Sequence, residues 1–388
     1  MLNFYQIIVP ALLALLGTLW IHPKVLKIAV MKDLVDNPDA RKLQRRPIPN
    51  MGGAAVFFGI IIGLCSSQTI LNSPNVFMLM AAMLIMLYIG IMDDILSLTP
   101  TIRFVIEILL ICWLMYVNQA SINCFYGLWN IATIPTWISV PLTIFACVGI
   151  INAINLIDGV NGLSSGFCFM ASILFAIMFY NMGNTEMLII AISAAGAIIP
   201  FFLHNVFGNK TRMFIGDSGT LAIGTMISMF VISILRENFD GACMMVKGLG
   251  LIPFLLAVLA IPVFDTLRVM STRILNKKSP FSPDKTHLHH MFIDLGFSHI
   301  ATTISILSLN FIIIATWFLS YKLGASIDMQ LYIVLALSLL FTFGLYHYAQ
   351  VQLKKNGKAL RILQRIGKSI NLEKKGIWVT IQNCIDKL

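Results

Sequence analysis

The chain has 388 residues, 58% of them hydrophobic and only 11% charged, with a mean hydropathy of +0.86. Soluble domains carry roughly 45–50% apolar and about 25% charged residues, so a water-soluble fold, a disordered chain and a disulfide-stapled secreted domain are excluded. The net charge of +10 would suggest nucleic acid in a soluble protein; here no nucleic-acid partner is expected, and the basic residues read as topology signals.

Apolar runs of spanning length occur near 4–21, 54–71, 76–92, 102–118, 137–152, 164–180, 187–204, 219–235, 249–266, 301–320 and 329–349. The expected fold class is therefore an all-α polytopic integral membrane protein of about eleven transmembrane helices, as one domain over residues 1–349. The first run lacks a preceding basic residue and is followed by Lys24 and Lys27, the reverse of a signal peptide, so it reads as a retained helix. With the amino terminus outside, 24 of the 27 Lys and Arg residues fall in inner segments, leaving Arg236, Lys247 and Lys322 outside. Seven cysteines form no CxxC pair, which favours neither zinc nor a disulfide framework. Residues 350–388 form a basic tail with Leu360, Leu363 and Ile366 at helical spacing, expected to lie amphipathically on the inner membrane surface.

Five polar clusters fall on that cytoplasmic face. The first joins Arg41, Lys42, Gln44, Arg45 and Arg46 to PIPNMGG (Pro47–Gly53). Prolines that fix the chain, glycines that admit a ligand to the backbone and four cations suit a phosphate, and equally a loop that sets topology against anionic lipid. The second, Asp93-Asp94, places adjacent carboxylates at a helix end, where they repel unless a cation intervenes. Mg²⁺ suits the pair, because it is held by one or two carboxylates together with substrate phosphates.

NAINLIDGVNGL (Asn152–Leu163) sets three asparagines and Asp158 between two apolar runs, suiting the edge of a uracil or sugar with Asp158 near metal or phosphate. FIGDSGT (Phe214–Thr220) opens a helix with glycines flanking an aspartate, which suits a phosphate and metal pocket, with Asp217 the first choice of metal ligand. PDKTHLHH (Pro283–His290) brings Asp284, Lys285, His287, His289 and His290 together. Zinc is disfavoured because no cysteine accompanies the histidines, so phosphate binding by imidazole is expected.

In this order the clusters resemble the polyprenyl-phosphate N-acetylhexosamine-1-phosphate transferases of glycosyltransferase family 4, over roughly residues 20–300. FGNKTRMFIGD (Phe207–Asp217) and the HLHH form are closer to the N-acetylglucosamine-1-phosphate branch than to the muramoyl-pentapeptide branch. The resemblance implies a bacterial inner-membrane enzyme that transfers a sugar-1-phosphate from a UDP-sugar to undecaprenyl phosphate and releases UMP. It also implies Mg²⁺, or Mn²⁺ in its place, surrounding membrane lipid and a second copy of the chain as partners. By motif, Asp93, Asp94, Asp158 and His287 are the catalytic candidates, with Asp217 and Asp94 for the metal. Asn152, Asn155, Asn161, Lys285, His289, His290, Arg45 and Arg46 are the substrate-binding candidates.

Three positions depart from the family pattern. Gln44 stands where many members have histidine, Ser97 where an acid is common, and Asn161 where a second aspartate is common. Direct attack by the lipid phosphate is preferred, with a covalent phospho-aspartate as the alternative. The rival outside enzymes is a secondary transporter, disfavoured because the carboxylates lie at one face, apart from Glu107 inside the fourth run. Among enzymes the rival is the same chemistry on another UDP-N-acetylhexosamine or on UDP-muramoyl-pentapeptide.

Overall fold

A computed structural model of the chain describes residues 4–36, 47–236, 248–280, 285–355, 357–370 and 376–387. In chain order, helix α1 (Phe4–Met31) leads into an antiparallel pair of two-residue strands, β1 (Val35–Asp36) and β2 (Ile48–Pro49), followed by α2 (Gly52–Cys65) and α3 (Gln68–Leu71). Then come α4 (Pro74–Leu96), α5 (Pro100–Asn118), α6 (Thr136–Leu156), α7 (Leu163–Met182), α8 (Thr185–Phe207) and α9 (Gly216–Leu235). The second half holds α10 (Leu251–Val258), α11 (Ala260–Leu275), α12 (Leu288–Asp294), α13 (His299–Lys322), α14 (Ile327–Leu339), α15 (Leu345–Lys355), α16 (Lys358–Ser369) and α17 (Gly376–Ile385).

All eleven apolar runs are helical, but not all are simple spans. Among the described residues nine helices are long and apolar enough to cross a membrane, the last running from Ile327 through a π-turn to Lys355. A tenth crossing arises if α10 and α11, bent by 72° against each other, form one span. The run at 54–71 is divided between α2 and α3 at Ser66-Ser67, and α2 alone is 14 residues long. The bend has a local cause. Pro262 has no N–H for the carbonyl of Val258, and Asn310 on α13 donates to that carbonyl at 3.0 Å while accepting from the N–H of Ile261 at 2.9 Å. In a membrane such freed backbone groups must find partners inside the protein, and Asn310 supplies them.

Helix α9 is the axis of the bundle. Apart from Asp217 at its start, it is buried along its length, against α4, α6 and α2. The outward faces of the peripheral helices expose large apolar side chains, among them Leu16, Trp20, Leu84, Tyr88, Leu109, Tyr116, Phe145, Ile177 and Phe311, as a lipid-facing surface does. Close approach of α4 to α9 depends on Gly90, where a Cβ would stand 2.3 Å from the Cα of Ser218. One turn later α4 carries Asp93 and Asp94, so this packing brings the aspartate pair beside Asp217.

Candidate active site

Helices enter and leave one end of the bundle so that α4, α6 and α8 contribute their C-termini and α5, α7 and α9 their N-termini. Between them lies a cleft of about 450 Å³ lined by Asp36, Asn50, Asp93, Asp94, Asp158, Asn161, Asn205, Gly216, Asp217 and His290, among others. Residues from all five polar clusters expected from sequence thus meet in one place, joined by Asp36 and Asn205.

The two adjacent aspartates part company. Asp93 Oδ2 is 2.9 Å from the guanidinium of Arg103, and its Oδ1 accepts from the N–H of Leu98 at 2.8 Å. Asp94 turns to the start of α9, where it accepts from the N–H groups of Asp217 (3.1 Å) and Ser218 (3.3 Å) and from Asn50 Nδ2 (2.7 Å). The N–H groups expected to cradle a phosphate at this helix start are therefore taken by the chain's own carboxylate, which suits the positive end of the helix dipole. Gly216 makes this possible with φ +71, and a Cβ there would lie 2.7 Å from Asp94 Oδ2.

A cation between carboxylates is present as a side chain. Arg103, in the first turn of α5, reaches Asp93, Asp217 Oδ2 at 3.5 Å, Glu107 at 3.7 Å and Asn152 Oδ1 at 3.4 Å. Glu107 is buried and also accepts from Asn152 Nδ2. In the sequence Arg103 stands out only as one of the inner-segment basic residues. Its signal was an Arg-Glu pair one helical turn apart inside an apolar run.

Two asparagines expected at a nucleotide edge serve the protein itself. Asn152 binds Glu107 and the carbonyl of Val148, and Asn155 donates to Asp217 Oδ1 at 2.7 Å and Thr220 at 2.9 Å. Asn161 lines the cleft, with its carbonyl held by Thr303 at 2.8 Å. Asp158 also lines it and accepts a short hydrogen bond from Ser164. Burial pushes the Asp158 carboxyl up to about 7, against the opposing effect of the Ser164 bond and with help from the Asp217 charge. Gly52 and Gly53, expected to admit a ligand, instead dock backbone to backbone: their N–H groups donate to Phe214 (2.9 Å) and Ile215 (2.7 Å) carbonyls.

The histidines divide in the same way. His290 reaches the cleft, whereas His287 is buried with its Nδ1 2.9 Å from Asp265 Oδ2. Asp265 is held in turn by Arg268 at 2.7 Å, and Arg268 also bonds the carbonyl of Thr286. An acid and a base three residues apart near the end of the ninth apolar run were the unread signal for this pair. His289 packs between the His287 and His290 rings and against Gly159. Burial, with the neighbouring His290 and His287, holds it well below the ordinary 6.5, so its ring is neutral. Lys285 is exposed beside them. Arg41, Lys42, Gln44, Arg45, Arg46 and Asp284 lie outside the described residues.

Apart from His290, the side-chain donors facing the cleft are carboxylate and amide oxygens, the set a hard divalent cation takes. No group of three or more His, Cys, Asp or Glu side chains converges on one point among the described residues. The fit is to an ion such as Mg²⁺ that takes one or two carboxylates and completes its shell with phosphate oxygens and water. Asp217, 35% exposed and aimed into the cleft, meets that description, with Asp94 beside it.

Residues 76–235, which include three of the cleft-forming motifs, match the model of glycosyl transferase family 4. A probable undecaprenyl-phosphate N-acetylglucosaminyl 1-phosphate transferase of Bacillus subtilis is 29% identical over 79% of this chain and 83% of its own length. The undecaprenyl-phosphate alpha-N-acetylglucosaminyl 1-phosphate transferase of Salmonella typhi is 27% identical over 90% of this chain and 91% of its own, and that of Escherichia coli K12 29% over 70% and 72%. With the motifs assembled at one cleft and relatives aligned along most of its length, this chain is similar to glycosyl transferase family 4 over residues 76–235 and to undecaprenyl-phosphate N-acetylglucosaminyl 1-phosphate transferases over most of its length.

Proposed function

We propose that this protein transfers N-acetylglucosamine-1-phosphate from UDP-N-acetylglucosamine to undecaprenyl phosphate, releasing UMP. The observation that carries this reading is the convergence of Asp93, Asp94, Asp158, Asp217 and His290 on one cleft at one end of an apolar bundle. A lipid phosphate anchored in the bilayer and a nucleotide sugar arriving from water meet naturally at such an end. The basic residues support a cytoplasmic site, with the amino terminus outside, eleven crossings if α2 and the bent pair each count as one, and the bacterial inner membrane as location.

In the reaction an oxygen of the lipid phosphate attacks the sugar-bearing phosphorus of the UDP-sugar. The bond from that phosphorus to the bridging oxygen breaks, and UMP leaves with the oxygen. The attacking group needs no base at pH 7, since a phosphate monoester's second pKa is about 6. The difficulty is repulsion between two anions, and Arg103 meets part of it by neutralising Asp93 and the near oxygen of Asp217. Mg²⁺ held by Asp217 and Asp94 would supply further charge neutralisation on the phosphates. Asn155 orients Asp217, and Asp158 with Asn161 borders the space left for the nucleotide sugar. Asp265 fixes the His287 ring, which with His289 carries His290 to the cleft. Both oxygens of Asp93 and of Asp94 are already hydrogen-bonded, which supports direct attack over a phospho-aspartate.

The test is transfer of radiolabel from UDP-sugars to undecaprenyl phosphate by membranes carrying the protein. Lipid-linked label from UDP-N-acetylglucosamine is expected. Label only from UDP-muramoyl-pentapeptide would assign the other branch, and no lipid-linked product from any UDP-sugar would overturn the reading.

A further inference from the structure

The carboxyl-terminal segment returns to the bundle instead of trailing from it. Helix α17 lies on α8, with the Trp378 ring 4.7 Å from that of Phe207 and Ile385 buried. One residue beyond the helix, a single oxygen of Asp386 accepts from three consecutive backbone N–H groups: Asn209 at 2.9 Å, Lys210 at 3.1 Å and Thr211 at 3.3 Å. The Thr211 hydroxyl donates to the same oxygen at 3.0 Å. Successive N–H groups converging on one point form an anion-binding nest, and here the chain supplies the anion. Burial pushes the Asp386 carboxyl up, but these hydrogen bonds outweigh it and leave the group below its ordinary range.

The gathered loop leads directly to the cleft. Thr211 Oγ is 3.0 Å from His204 Nδ1 on α8. The next residue, Asn205, accepts from the Gly162 N–H at 2.6 Å, donates to the Met213 carbonyl at 2.8 Å, and lines the cleft. Past Met213 the chain runs through Phe214 and Gly216 to Asp217, all cleft residues. The segment leading to Asp217 is thus tied by Asp386 at 209–211 and by Asn205 at Met213.

We propose that Asp386 is a positioning residue for the transfer reaction: by gathering the Asn209–Thr211 amides onto the carboxyl-terminal helix, it fixes the segment that presents Asp217 and Asn205 to the cleft. The inference rests on the function proposed above for its kinetic arm only. The experiment compares full-length wild type, Asp386→Ala, Asp386→Asn and Asp386→Glu by amide hydrogen exchange at 209–211 and by initial rates with UDP-sugar and polyprenyl phosphate. Loss of hydrogen bonds to a charged acceptor should speed exchange of these amides about tenfold or more in Asp386→Ala and lower kcat by a similar factor. The KM for the UDP-sugar should change less than kcat, and Asp386→Glu should restore part of both protection and rate. Exchange elsewhere, for instance in the 120–135 connection, serves as the folding control.

Unchanged exchange at 209–211 overturns the contact, and faster exchange with wild-type kinetics overturns the positioning role. If Asp386→Ala does not fold, the Asn and Glu variants carry the comparison, with protection and kcat expected to fall together. The exchange arm needs no substrate. Absence of sugar-phosphate transfer in wild type would sink the function reading while leaving the contact supported. Unprotected 209–211 amides in a fully active wild type would sink this inference alone.

Discussion

Arg103 is the sharpest test of how the site balances its charge. It stands 2.9 Å from Asp93, 3.5 Å from Asp217 and 3.7 Å from the buried Glu107. Replacing it with Gln keeps a polar side chain and removes the one described cation among these carboxylates. Breaking a buried pair by deleting one partner costs about 3–5 kcal/mol. The Arg103 side chain is 18% exposed, and the longer Asp217 contact involves a carboxylate that is 35% exposed, so solvent screening trims the figure. About 2–4 kcal/mol remains, and if carried fully to the transition state it lowers kcat/KM roughly 30- to 1,000-fold. Arg103→Lys keeps the charge, but a compact ammonium cannot hold Asp93, Glu107 and Asn152 at once, so about a tenfold loss is expected. Steady-state transfer assays on purified protein, with thermal unfolding as the folding control, give the comparison. A folded Arg103→Gln protein with kcat/KM close to wild type would refute the reasoning.

Asp217→Asn should remove most turnover, and EDTA should abolish wild-type activity with recovery on adding Mg²⁺; full activity in excess chelator would remove the metal from the scheme. Burial holds Asp158 at about 7, above the usual carboxylate value of 3.8, so between those values the folded chain keeps a proton the unfolded chain has lost, and this group makes folding less favourable as pH rises. With the ionised form active, rate should climb through about pH 7, and Ser164→Ala, which removes a bond that favours the carboxylate, should move that limb to higher pH; a limb that stays put would separate Ser164 from the titration. For topology, a cysteine replacing Asn130 in a background free of native cysteines should react with an impermeant thiol reagent on intact cells, and one replacing Lys277 should be shielded; the reverse pattern would invert the orientation.

Much of the site was legible because chemistry-bearing residues in an apolar chain stand out. Asp93, Asp94, Asp158, Asn161, Asp217 and His290 do meet at one cleft. Which of them face a ligand and which hold one another was not legible, because that depends on contacts between residues far apart in sequence. Asn155 reads as a recognition residue until α9 places Asp217 2.7 Å away, and the open helix start at Gly216 reads as a phosphate cradle until Asp94 fills it. Arg103 was hidden by its own usefulness as a topology signal. Which runs are simple spans was not legible for a physical reason as well: a hydropathy window sees the run at 249–266 as continuous, while its 72° bend is held by Asn310 on another helix.

The burial of α9 beyond Asp217 bears on how the bundle assembles. A helix that ends with no lipid contact must still pass through a stage in which it is inserted but not yet surrounded, and its hydroxyls then lack neighbours. Thr220 and Thr225 solve this within the helix, donating to the carbonyls of Gly216 and Leu221 one turn back at 3.1 and 2.9 Å. Ser228 looks outward instead, donating to the Cys147 carbonyl of α6 at 3.1 Å. Halfway along α9, docking of α6 therefore does more than bury apolar surface, because it takes up a polar group that would otherwise sit in hydrocarbon. At the other end of the helix, Asp217 makes the same demand more strongly, since Asn155 also comes from α6. One neighbouring helix thus relieves the axis at two depths, so α6 and α9 are the pair whose association makes the rest of the bundle affordable in a lipid solvent.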